Sequence, residues 1–269
     1  MTRIARVFKE KSKVLVAYIT AGDPTPDRTP ALVAAMERGG ADLIELGVPF
    51  SDPVADGPVI MRAGDRALRA GTTVAKVLAI AREIRRTSEI PLLLFTYLNP
   101  VIRYGLDRLA ADAKSSGIDG CLLTDASVEE AGSYVDAMRA AGLDTVFLAA
   151  PTSTDERLRA VARNSRGFVY AISRTGITGT RQEVAGDAHS LVSRLRALTK
   201  LPIAVGFGVS TPEQFAEVGQ FADAVVIGSA IVQRIEQNAG REATAVSEFL
   251  MSLRVSAQRA EGDASPRVG

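Results

Sequence analysis

Short apolar runs rich in β-branched residues alternate along this chain with longer segments whose apolar positions recur at helical spacing and whose charges gather on one side. That alternation is the pattern of βα units around a parallel sheet. Eight runs qualify as strands: Val14–Thr20, Asp42–Val48, Pro91–Tyr97, Gly120–Thr124, Thr145–Ala150, Phe168–Ser173, Pro202–Phe207 and Ala224–Gly228. The segments between them predict helices over Pro26–Arg38, Val74–Arg86, Leu106–Ser116, Glu129–Ala141, Asp155–Arg163, Ala188–Leu198, Pro212–Gly219 and Ala230–Gln237. Eight alternations favour one closed barrel over two open sheets, so the expected fold class is α/β, a single (β/α)8 TIM barrel with a short N-terminal helix.

Local signals agree with this division. Ser210-Thr-Pro-Glu213 and Thr152-Ser-Thr-Asp155 read as helix starts, each with a hydroxyl to accept an amide and an acid behind it. The phrase Gly-x-Asp recurs before strands, at Gly40-Ala-Asp42, Gly117-Ile-Asp119 and Gly142-Leu-Asp144. Ile4 to Phe8 predicts a short helix plugging the lower mouth of the barrel. No linker suggests a second domain. The expected division is a barrel over residues 1–255 and a polar, flexible tail over 256–269.

Composition narrows the function classes. The length of 269 residues is near the ~250 of one such barrel. With 32 basic and 31 acidic residues there is no overall electrostatic footprint for nucleic acid or an anionic membrane, so any anion is expected to be held locally. The basic start before Val14–Ile19 is too short in its apolar part for a secretion signal, and no stretch reaches the ~20 apolar residues of a membrane span, which together predict a cytoplasmic protein. The single cysteine, Cys121, reads as a small buried hydrophobe. His189 is the only histidine and stands in a predicted helix, which argues against a Ser-His-Asp triad or a multi-histidine metal centre and favours metal-independent acid–base chemistry.

In such barrels chemistry belongs to the loops at the C-terminal strand ends. Glu45 lies inside an apolar strand, where a carboxylate either is tied down structurally or faces a cavity with a raised pKa suited to proton transfer. The loop Pro49–Pro58 carries Asp52 and Asp56 among prolines that stiffen it; each could brace the turn or present a second carboxylate. The glycines Gly176, Gly179, Gly206, Gly208 and Gly228, with Ser229 opening a helix, are placed to let backbone amides approach a phosphate, or merely to make tight turns. The loop holding Arg174 and Thr178 suits a lid. Tyr170 points either into the mouth beside Glu45 or into the core.

These candidates fall within a family resemblance. Glu45-Leu-Gly-Val-Pro-Phe-Ser-Asp-Pro-Val-Ala-Asp-Gly-Pro58 closely resembles the signature of the tryptophan synthase α subunit. Ala21-Gly-Asp-Pro24, Tyr97-Leu-Asn-Pro100, Ser173–Gly179, Gly206–Ser210 and Val226–Ala230 extend the resemblance, in order, through most of the chain. It implies a lyase that cleaves indole-3-glycerol phosphate to indole and glyceraldehyde 3-phosphate by a retro-aldol route, in tryptophan biosynthesis. Glu45 would then shuttle protons, Asp56 would accept the indole N–H, and Tyr170 would stand near Glu45. Gly179, Gly208, Gly228 and Ser229 would cradle the phosphate, and Tyr18, Ile60 and Phe207 would wall the indole pocket. The resemblance also implies a β subunit that carries pyridoxal phosphate in an αββα complex, with contacts around Pro53 and Asn99, and no cofactor in this chain. Two features depart from the pattern: Met61 replaces a frequent Gln, and Asp125-Ala-Ser127 replaces Asp-Leu-Pro or Asp-Val-Pro. The alternatives are a stand-alone lyase releasing free indole, a barrel acting mainly as an allosteric partner, and a sugar-phosphate isomerase or epimerase.

Overall fold

A computed structural model describes residues 1–172, 181–206 and 208–263. Its parallel strands are β1 (Val14–Thr20), β2 (Leu43–Gly47), β3 (Leu92–Thr96), β4 (Gly120–Leu123), β5 (Asp144–Val146), β6 (Leu148–Ala149), β7 (Val169–Ile172), β8 (Ile203–Gly206) and β9 (Ala224–Ile227). They form one sheet in the order β5-β4-β3-β2-β1-β9-β8-β7-β6. The two ends of that order are consecutive in sequence. The single run expected at Thr145–Ala150 is broken at Phe147, so its first half pairs with β4 and its second half with β7. The Phe147 carbonyl accepts from Tyr170 N at 3.1 Å, and the chain closes the barrel through this break. The offset is the stagger that a closed barrel of tilted strands requires.

The strands are buried on both faces, and their alternation sorts two cores. Val14 and Val16 of β1, Leu43 of β2, Leu93, Leu122, Val146, Phe168 and Ala204 fill the barrel interior. Leu15, Ala17, Ile19, Ile44, Leu46, Leu92 and Leu94 instead pack outward against the helices. Each fully buried Leu or Ile contributes roughly 1.5–3 kcal/mol relative to exposure.

The N-terminal helix, Arg3–Glu10, takes the expected plugging position. Thr2 caps it by accepting from Ala5 N, and Ile4 and Val7 bury among the interior side chains. Room for Ile4 comes from two glycines: a Cβ on Gly120 would lie 3.1 Å from Ile4 Cδ1, and one on Gly167 would lie 3.0 Å from Ile4 Cγ2.

The recurring Gly-x-Asp phrase proves to be a latch on the same face. Gly40, Gly117 and Gly142 all take positive φ, which side chains disfavour, to end a helix and start a strand. The aspartates that follow are buried. Asp42 accepts from Leu15 N at 2.7 Å and Asp119 from Leu92 N at 2.9 Å, each on the preceding strand's first residues. Asp144 accepts from Thr2 Oγ1 at 2.5 Å.

Three helices lie where the apolar spacing predicts none: Pro58–Arg69, Leu98–Tyr104 and Glu242–Asp263. The last runs past Val255, into the segment expected to be a flexible tail. Its Arg254 bonds the Gly40 and Lys13 carbonyls and pairs with Asp42. The predicted helix starts hold: Thr211 and Gln214 form a capping box, and Thr154 accepts from Arg157 N. Among the described residues no helix is long and apolar enough to cross a membrane.

Candidate active site

At the C-terminal mouth the ends of β1, β2, β3, β7, β8 and β9 enclose a cavity of about 230 Å³. Its walls include Tyr18, Glu45, Phe95, Tyr170 and Val226, its rim includes Asp56, Gly57 and Ile60, and Gly206, Gly208, Gly228 and Ser229 line the far side. Of the expected site residues that the structure describes, all but Asp52 line this one cavity. Phe207 and the stretch holding Arg174, Thr178 and Gly179 lie outside the described residues.

Glu45 is inside the barrel because of strand parity. It is two residues beyond Leu43, whose side chain fills the interior, and it stands opposite Tyr18 in the β1–β2 register. Only 1% of it is exposed, and its Oε1 has no hydrogen-bond partner among the described residues. Burial raises its pKa from the ordinary carboxylate range to about 8. The penalty for stranding a charge in a low-dielectric site is thus avoided at neutral pH by holding the proton.

Two tyrosines frame it. The Tyr18 hydroxyl lies 3.3 Å from Thr20 Oγ1, and a Cβ on Gly47 would come within 2.3 Å of that hydroxyl. Gly206 stands in the same relation to the Tyr170 hydroxyl, also at 2.3 Å. Each tyrosine leans over a glycine on the next strand, so Gly206, read from sequence as part of a phosphate cradle, is required here to admit a ring. Both phenols have raised pKa values, chiefly from burial, with the charge of Glu45 adding to each.

Asp56 sits on the stiff loop after β2. Its pKa is raised to about 6, mainly by burial, while a hydrogen bond from the Tyr97 hydroxyl draws it down. Tyr97 also accepts from Ala55 N at 3.2 Å and packs its ring 5.2 Å from Phe50. It anchors this loop from the end of β3, a part that sequence reasoning does not assign to it although Tyr97 stands at a strand's C-terminal end. Asp52 does not reach the cavity; it is exposed and accepts from Ser51 Oγ at 2.5 Å.

On the far side, the helix Ser229–Gln237 begins at the cavity. Its N-cap, Gly228, supplies no side chain to its free amides, so they and the helix dipole face the pocket. Gly208 has φ of +45° with open space where a Cβ would stand, so backbone conformation rather than crowding calls for glycine there. Asp125 accepts from Leu98 N at 2.7 Å and fixes the start of the Leu98–Tyr104 helix, a bond that the neighbouring Ala126 and Ser127 leave intact.

This arrangement, two carboxyls with raised pKa values facing a helix N-terminus across one cavity, meets a specific sequence match. Residues 4–261 match the family model described as tryptophan synthase alpha chain. The chain belongs to the tryptophan synthase alpha chain family. The tryptophan synthase alpha chain of Solibacter usitatus is 68% identical over 243 residues, covering 89% of this chain and 91% of that one. The alpha chain of Geobacter sulfurreducens is 47% identical over 262 residues, covering 94% and 98%. Among solved structures, tryptophan synthase subunit alpha from Legionella pneumophila str. Paris superposes with a TM-score of 0.90 at 36% identity, covering 96% of this chain and 99% of that one. An open form of tryptophan synthase from M. tuberculosis superposes with a TM-score of 0.87 at 35% identity, covering 96% and 99%. The (β/α)8 fold and the family read from the sequence stand.

Proposed function

We propose that this chain, a carbon–carbon lyase of tryptophan biosynthesis by family, cleaves indole-3-glycerol phosphate to indole and glyceraldehyde 3-phosphate with Glu45 as its proton shuttle. One observation carries this reading: a buried Glu45 carboxyl, whose Oε1 has no partner among the described residues, shares a cavity with Asp56 on one side and the Ser229 helix N-terminus on the other.

The two carboxyls have separated tasks because their environments differ. With a pKa raised to about 8, Glu45 is mostly protonated at neutral pH and ready to protonate the indole ring carbon that bears the side chain. Asp56, raised to about 6, is mostly ionised there. It accepts the indole N–H and stabilises positive charge on the protonated ring. The Glu45 carboxylate so formed takes the proton of the glycerol hydroxyl next to the ring. The carbon–carbon bond then breaks, its electrons return to the ring, and indole and the aldehyde part. Tyr18, Ile60 and Phe207 wall the indole, and Tyr170 shields Glu45. Gly179, Gly208, Gly228 and Ser229 hold the phosphate, and the loop with Arg174 and Thr178 closes over it.

The partner we propose is a tryptophan synthase β subunit carrying pyridoxal phosphate, in an αββα heterotetramer in the cytoplasm, with no cofactor in this chain. Support comes from exposed aliphatic side chains on the two segments concerned, Val54 beside Pro53 at 86% exposure and Ile102 beyond Asn99 at 64%. The test is indole release from indole-3-glycerol phosphate by the purified chain, alone and with a β subunit. Slow cleavage that the β subunit accelerates is expected. Fast turnover unaffected by the β subunit indicates the stand-alone lyase instead, and no cleavage in either condition refutes the reading.

A further inference from the structure

Behind the cavity, two helices that contribute to opposite sides of it are fastened together by ion pairs. The helix Pro58–Arg69 follows directly on Asp56, and the helix Ser229–Gln237 opens at Ser229. Arg66 donates from Nε and Nη2 to the two Asp23 carboxylate oxygens at 2.7 and 2.9 Å, and from Nη1 to Glu236 Oε1 at 2.7 Å. Arg62 donates to both Glu236 oxygens at 2.8 and 2.7 Å. Asp23 itself is 1% exposed, in the loop after β1, the strand that carries Tyr18.

The joint is placed as a common pivot. At 1.5 Å per residue, Arg66 is ~12 Å along its helix from Pro58, and Glu236 is ~10 Å along its own from Ser229. Between joint and cavity, Ala63 and Val232 pack with Tyr18 in a small apolar layer, with Val59 and Ile60 beside them. A buried ion pair is a weak source of stability, because desolvation of Asp23 offsets the attraction. What a two-pronged arginine fork does supply is a fixed angle.

Resting on the function proposed above, we infer that Arg66 is a positioning residue: through Asp23 and Glu236 it sets the distance between the Asp56 side and the phosphate side of the site. A ligand spanning both sides depends on that distance. A ligand touching one side does not. Misplacement by about 1 Å can lower turnover on the order of 100-fold.

The experiment measures indole-3-glycerol phosphate turnover and the binding of two probes, inorganic phosphate and indole-3-propanol phosphate, to the full chain. For Arg66→Gln the expected result is a fall of about 30-fold in kcat/KM, carried mainly by kcat, in line with that sensitivity to misplacement. The tethered indole should weaken about 10-fold while inorganic phosphate changes by less than about 2-fold. Arg66→Lys, which keeps the charge without the fork, should fall between wild type and Arg66→Gln. Because Arg66→Gln leaves Asp23 buried and unpaired, Asp23→Asn with Arg66→Gln and Glu236→Gln alone provide variants that avoid it, and both should separate the probes in the same direction. Equal weakening of both probes would mean a general collapse of the mouth and overturn the inference; so would unchanged kcat/KM and probe binding in all folded variants. If wild type binds both probes yet releases no indole, the proposed reaction fails, while the probe comparison still decides the role of Arg66.

Discussion

The two ends of this barrel treat buried carboxylates in opposite ways. At the N-terminal face Asp42 and Asp119 are sunk in the structure and surrounded by donors. Asp42 holds Leu15 N, Lys11 and Arg254, while Asp119 holds Leu92 N, Arg3 and Arg85. At the C-terminal mouth Glu45 is buried as deeply, yet its Oε1 has no hydrogen-bond partner among the described residues, and Asp56 accepts from the Tyr97 hydroxyl. A satisfied carboxylate fixes strand positions and does no chemistry. An unsatisfied one costs stability, and its place is where a ligand can complete it.

The sharpest way to break this contrast is Glu45→Gln, which should leave the fold intact and lower indole release by about 10³-fold, a barrier change of ~4 kcal/mol. Full activity in that variant would remove Glu45 from the chemistry. At the other end Asp119→Ala should do the reverse, destabilising by about 3 kcal/mol, since it strands Arg85 and the Leu92 amide, while the residual folded protein keeps its activity per molecule. Chemical denaturation and an active-site titration separate the two quantities.

A pH series gives the next largest effect. Folding raises the pKa of Glu45 to about 8 from an ordinary value of 4.5, so the folded state binds this proton more tightly than the unfolded state. The stability that goes with the neutral acid is therefore lost as pH rises through that window. Between pH 5 and 7 wild type should lose about 2.5 kcal/mol relative to Glu45→Gln, close to 1.36 kcal/mol per unit. Parallel stability curves for the two proteins would show that Glu45 is ionised throughout. The smallest change is expected for Asp56→Asn, which retains an acceptor for the indole N–H but loses the charge. A decrease of about 10-fold in kcat with little change in KM should follow, corresponding to ~1.4 kcal/mol.

Much of the fold and of the site is legible in the order of residues. The strand positions follow from apolar runs of the right length, and Glu45 stands out because a carboxylate interrupts one of them. The helix Pro58–Arg69 escapes such a reading although its first residue is a proline at the position helices favour, because the preceding Asp56-Gly57 reads as the continuation of a loop. Tyr97 escapes it for a different reason: its value lies in bonds to Ala55 and Asp56, on a segment some 40 residues away, and nothing local to β3 announces them. The Arg66 joint is invisible on the same grounds, joining residues separated by 43 and 170 positions.

By itself, then, the sequence determined the barrel and the family and singled out the carboxyls proposed for the chemistry, because periodicity and motif spacing are properties of neighbouring residues. Only the tertiary structure decided that the fifth strand splits to close the ring, that Gly47 and Gly206 leave room for two tyrosines, and that burial pushes the Glu45 pKa up. Those outcomes depend on which distant groups arrive beside a residue and on how much water they exclude, and neither is written at the residue itself.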